Sequence, residues 1–109
     1  MLIAVASKDG KDINQHFGHA ERFLIYDVSE DNATLIDEKE VERYCSYDPD
    51  HPLRGHILTG IAEALQGCRA VVSAQIGEHP RRELSGLGIE PYAITGPIEP
   101  TLLELVKIL

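Results

Sequence analysis

Positive charge is scarce in this chain of 109 residues: 10 Lys plus Arg stand against 18 Asp plus Glu, a formal net charge of −8 at pH 7. Binding to nucleic acid draws on a cationic surface that displaces counterions, so the balance argues against a general affinity for DNA or RNA. It argues equally against docking on anionic membranes. An anionic surface does not exclude an anionic ligand, because a local pocket of amides and imidazoles overrides the overall field. Cysteine is nearly absent: two residues, Cys45 and Cys68, do not make a disulfide framework, and the reading is free thiols in a reducing compartment. No apolar run approaches the ~20 residues that span a bilayer. No charged segment followed by a long apolar run opens the chain, so no signal peptide is expected and a cytoplasmic protein is the default. The catalytic signatures are missing too: there is no G-x-S-x-G, no P-loop and no Ser-His-Asp order.

What is present is a packable core. Hydrophobic residues make up 43% of the chain, enough for one small domain over residues 1–109. Leu2-Ile3-Ala4-Val5-Ala6 is a continuous apolar run, as in a strand covered on both faces. Asp9-Gly10 signals a turn. Residues 22–28 form a second strand, Glu30-Asp31-Asn32 a turn, and residues 33–43 a third, partly exposed strand. Two prolines in four residues make 44–52 a loop. Residues 53–66 carry Leu53, Ile57, Leu58, Ile61 and Leu65 at helical spacing, with Gly67 as the stop. A buried strand at 70–74, a short helix at 80–86, a strand at 88–94 and a terminal helix at 100–109 complete the reading. The terminal helix is expected to bury Leu102, Leu103, Val106 and Leu109. The order β-β-β-α-β-α-β-α implies a mixed α/β sheet with helices on its faces.

The segment Asn14-Gln15-His16-Phe17-Gly18-His19-Ala20 places two imidazoles, a glycine and an aromatic ring in one loop after a buried strand. Imidazole is the commonest metal ligand at neutral pH, and a glycine permits a tight turn or close approach of a guest. Three loops can converge at one sheet edge: the His16/His19 loop, the Cys45 loop and the Ile76-Gly77 loop, whose following helix offers backbone amides to an anion. Each residue has two readings. His16 is a metal ligand or a loop histidine bonded to the backbone; His19 is its partner one turn on or a helix cap. Cys45 is an accessible thiolate ligand or an incidental thiol. Cys68 reads as a core residue, and His51 lies within reach of the same region. His56 reads as the solvent face of its helix; beside His79, Arg81 and Arg82 are a clamp for an anion or, the favoured reading, a solvated helix face. The element order is similar to ribonuclease H-like folds, but the first strand carries no carboxylate for divalent metals, so a nuclease is disfavoured.

Three segments carry a resemblance: Ile3 to Gly10, Asn14 to Ala20, and Phe23-Leu24-Ile25-Tyr26. Tyr44-Cys45, Ala64 to Val72, Ile76-Gly77 and Gly88-Ile89-Glu90-Pro91 extend it. Together they resemble the dinitrogenase iron–molybdenum cofactor biosynthesis family, the group of NifX-like proteins and the NifB C-terminal domain. The resemblance implies a ribonuclease H-like α/β fold without nuclease activity, in a protein expected not to be an enzyme. It also implies binding or carriage of an iron–sulfur or iron–molybdenum cluster between donor and acceptor proteins of cofactor assembly, with no need of the cluster for folding. It assigns Asn14, His16, Phe17, Gly18, His19, Cys45, Ile76 and Gly77 to the cluster site, with His16, His19 and Cys45 as metal ligands. Ser46 to Pro52 depart from the glycine-rich stretch that the family carries after the cysteine. No radical-SAM domain precedes the segment, so radical chemistry is not expected.

Overall fold

The computed structural model describes residues 1–44 and 54–109, without the side chains of 54–56. Its centre is a five-stranded mixed sheet. Strand β1 (Leu2–Val5) pairs antiparallel with β3 (Arg22–Val28), which pairs antiparallel with β4 (Ala33–Glu40). On its other side β1 pairs parallel with β5 (Cys68–Ser73), and β5 parallel with β6 (Glu90–Ala93). The strand order is β4-β3-β1-β5-β6. Helices α1 (Arg54–Ala64), α2 (Glu78–Gly86) and α3 (Ile98–Leu105) connect or follow these strands.

The apolar runs decide the layering. Ile3, Ala4, Val5, Ala70, Val71 and Val72 are all at most 1% exposed, so β1 and β5 are the doubly covered centre that their composition implies. Alternate side chains point to opposite faces of a strand. One face gathers Ala4, Ala6, Phe23, Ile25 and Val71 with Leu58 and Ile61 of α1, Leu65 just after it, and Leu84 of α2. The other gathers Ile3, Val5, Leu24, Tyr26, Val28 and Val72 with Ile98, Leu102 and Leu105 of α3. Cys68 belongs to the first core; burial pushes its thiol upward, against a weaker opposing pull from Lys39. At the open edge, β4 is exposed beyond Ala33 and carries Asp37, Glu38, Lys39 and Glu40, charges that discourage pairing with another chain.

Some boundaries differ from the sequence reading. The third strand ends at Glu40 instead of residue 43, where Val41 leaves the ladder and bonds back to Glu21. The terminal helix starts at Ile98 and loosens into a 3-10 turn over Val106–Ile108, so its buried residues are Ile98, Leu105 and the expected Leu102, while Leu103, Val106 and Leu109 are only partly buried. A small antiparallel ladder of β2 (Asp12–Ile13) and β7 (Gly96–Pro97) was not expected. Two-residue strands carry no periodicity to read. The ladder matters because it fixes the entry to the histidine loop: Ile13 is fully buried, and Ile98 donates its amide to the Lys11 carbonyl at 3.0 Å.

Candidate functional site

The loop before the histidines is held by its own polar side chains. Asp9 Oδ1 accepts from the amides of Lys11 and Asp12 at 2.9 and 3.0 Å, while Gly10 supplies the positive φ of +77° that the turn needs. Those amides hold the Asp9 carboxyl below the usual carboxylate range. Ser7 Oγ donates to the Asp12 carbonyl at 2.6 Å and accepts from the Gly10 amide at 2.9 Å. Asn14 is structural in this arrangement: its Oδ1 accepts from the Lys8 amide at 2.8 Å.

Two main-chain bonds then stitch the histidine loop to the end of β5. Ala74 donates to the Gln15 carbonyl at 2.9 Å and Phe17 to the Gln75 carbonyl at 2.8 Å, making a parallel bridge of His16 with Gln75. Ile76 and Gly77 follow immediately, so the first and third of the expected loops do meet. Cys45, the thiol of the second loop, and His51 lie outside the described residues, as does the side chain of His56. Tyr44, the residue before Cys45, is 4% exposed and belongs to the same core as Phe17.

Residues 17–19 form one turn of 3-10 helix, capped by His16, whose Nδ1 accepts from the Gly18 amide at 3.0 Å. Phe17 is fully buried, with ring centroids 5.5 Å from Phe23 and 6.5 Å from Tyr44, and Ile76 is 8% exposed; both side chains anchor the loop from below. Gly18 is buried and is not among the glycines of positive φ, so the turn itself does not call for glycine there. His19 is exposed and stacks on His16 at 4.7 Å between centroids, 29° between planes.

His16, Gly18 and Tyr44 face Gly77, Glu78, His79 and Pro80 around a cavity of about 230 Å3. Sequence reasoning left Tyr44 unassigned and placed His79 on a solvated helix face. His79 is exposed, but it also closes this cavity from the first turn of α2. Gly77 caps α2 without any side-chain hydrogen bond, and Pro80 has no N–H, so the uncapped amides of the first turn are those of Glu78 and His79. Such amides favour a negative guest. Arg81 and Arg82 are not in the cavity wall.

Among the described residues no group of three or more His, Cys, Asp or Glu is arranged to hold a metal ion. The two imidazoles alone do not close a coordination sphere. His16 is held below the ordinary histidine range, first by burial and then by repulsion from His19. With Nδ1 accepting from Gly18, the neutral ring carries its proton on Nε2. In this state His16 is a donor toward a guest; coordination through Nε2 requires the proton to move to Nδ1 and the Gly18 bond to break. Nitrogen-15 NMR of His16 is expected to report this tautomer, with Nε2 protonated and Nδ1 bare. Because the folded state binds the proton less readily than the unfolded chain, stability is expected to fall as pH drops from the unfolded value of about 6.5 toward the folded one. His16→Gln should flatten that part of a denaturation-versus-pH curve; an unchanged slope would refute the assignment.

The family model described as "Dinitrogenase iron-molybdenum cofactor" matches residues 1–107. The chain belongs to this family. It is 40% identical over 109 residues to the FeMo cofactor biosynthesis protein NifB of Azotobacter vinelandii, covering 98% of this chain and 22% of that protein. It is 38% identical over 105 residues to NifB of Frankia alni, covering 96% and 21%. The chain thus spans about a fifth of the length of these relatives. The fold is shared with the crystal structure of PH0822, at a TM-score of 0.64 and 20% identity over 98% of this chain and 90% of that one. A Thermotoga protein of the DUF35 family, solved by NMR, matches at a TM-score of 0.57 and 16% identity over 98% and 87%.

Proposed function

We propose that this family member takes part in iron–molybdenum cofactor biosynthesis as a non-catalytic carrier, receiving an iron–sulfur or iron–molybdenum cluster from one protein and passing it to another in the cytoplasm. The observation that carries the reading is the cavity where the histidine loop is stitched to the start of α2. An imidazole N–H, a second imidazole and uncapped helix amides surround one space there. That donor set suits an anionic inorganic guest. The family and the NifB relatives, whose names refer to the iron–molybdenum cofactor, support a metal cluster as that guest. The cavity is smaller than the ~300–1,000 Å3 of ordinary ligand pockets, so a bulky cluster rests across its rim instead of sinking into it. The sheet order β4-β3-β1-β5-β6 supports a ribonuclease H-like assignment of the fold.

Within this reading His16 is the first anchor, His19 braces it by stacking, and Cys45 is the thiolate candidate. Asn14, Phe17, Gly18, Ile76 and Gly77 hold the loop in shape. Protein purified without oxygen and supplied with an iron–sulfur source is expected to gain visible charge-transfer absorption. His16→Ala should weaken cluster retention by about tenfold or more, the loss of one charge-assisted contact. His16→Gln separates the two roles of the ring. Gln donates a hydrogen bond but is a poor ligand to iron, so retention in His16→Gln marks a donor role and loss marks coordination. A protein that takes up no metal under these conditions, or whose uptake is indifferent to His16, would overturn the proposal.

A further inference from the structure

A second recess lies on the other side of the stacked histidines. His16 lines the first cavity and His19 lines this one, so the pair is the partition between them. The recess measures about 480 Å3 and is walled by Lys8, Gln15, His19, Glu21, Arg22 and Arg43, among others. Its charge runs against the rest of the molecule. Three of the chain's 10 Lys and Arg converge here, with one of its 18 Asp and Glu. Among the described residues, neither Lys8 nor Arg43 has an ion pair, whereas Arg22 is held by Glu38 at 2.9 Å. On an acidic protein, free cations are expected to find carboxylates. Two that remain unpaired beside a third, in a concave and partly imidazole-lined space whose one carboxylate is Glu21, leave an excess of positive charge in its wall.

The recess is also built on fixed backbone. Lys8 is tied through its amide to Asn14, Arg22 begins β3, and His19 sits in the capped 3-10 turn. Arg22, Arg43 and Glu21 also wall a neighbouring recess that contains Glu38, Glu40 and Glu42. That acidic side confines any anion to the part of the space next to Lys8 and His19.

We propose that this recess is a binding site for a small oxyanion of two or more negative charges, a polycarboxylate or a phosphate, distinct from the cavity at His16. Arg supplies paired N–H donors and Lys a mobile point charge, the usual combination for such groups. Gln15 and the exposed imidazole of His19 add further hydrogen-bonding groups. The site stands on the cationic geometry alone and does not depend on whether a metal cluster binds at His16.

Titration with citrate and with pyrophosphate at low salt tests this, followed by NMR shifts at Lys8, Gln15, His19 and Arg43. Saturable binding at a Kd of about 1 mM or tighter is expected for at least one of the two. Citrate alone marks a carboxylate guest and pyrophosphate alone a phosphoryl guest; both together mark a general oxyanion site. Lys8→Gln and Arg43→Gln, both at exposed positions, should each weaken binding by about three- to tenfold and leave the spectrum of the folded protein intact. Lys107→Gln removes the same charge at a distant position and should leave affinity unchanged. No saturable shift with either anion would overturn the proposal, as would an equal loss in Lys107→Gln.

Discussion

Phe17→Ala is expected to lower the unfolding free energy by about 3–5 kcal/mol, the usual cost of truncating a fully buried aromatic ring. For a domain of this size each kcal/mol moves the midpoint by about 4–8 °C, so a thermal melt should show a drop of more than ten degrees. The ring is 0% exposed and lies among Phe23 and Tyr44 in the core beneath α1 and α2. Its backbone amide is also one of the two bonds that join the histidine loop to β5. The variant should therefore lose more than a hydrophobic contact. Amide exchange at residues 16–19 should rise along with the fall in midpoint. A Phe17→Ala protein of native stability would mean that the loop is not packed as described.

Leu102→Ala is expected to cost about 2–5 kcal/mol by the same measure, but on the opposite face. Leu102, on α3, is fully buried and shares its core with Ile3, Val5 and Val72 of the central strands. No residue of the histidine cavity belongs to that core. At a temperature where the variant remains folded, cluster retention should equal that of the parent protein. Loss of binding in the folded variant would show that the two faces of the sheet are coupled. The pair of substitutions thus separates a residue that supports the site from one that supports the sheet alone.

These effects rest on features of differing visibility in the sequence. The central strands were legible because β1 is an uninterrupted apolar run, β5 centres on Ala70-Val71-Val72, and β3 joins aromatic with branched residues; burial on both faces leaves that signature. Helix α1 was legible from Ile57, Leu58, Ile61 and Leu65. The β2–β7 ladder was not, since its pairing depends on where Gly96 and Pro97 arrive in space and not on any local pattern. The early start of α3 follows from a Pro at position 100 that is tolerated in the first turn, where its missing N–H has no partner to lose. At the site, the meeting of the His16 loop with Ile76-Gly77 was foreseeable, because both follow neighbouring strands at the same end of the sheet. Tyr44 and His79 were invisible as neighbours of His16. One is placed by the core and the other by the direction of α2, and neither has a sequence signal. The proton position on His16 was equally beyond reach, since it is dictated by a single bond from Gly18.

The two main-chain links between Gln15, Phe17, Ala74 and Gln75 make the imidazole-bearing turn an extension of the sheet instead of a loose flap. The entropy of ordering that turn is spent during folding, before any visitor arrives. Under the carrier proposal, a guest arriving at His16 would meet a backbone shape already in place.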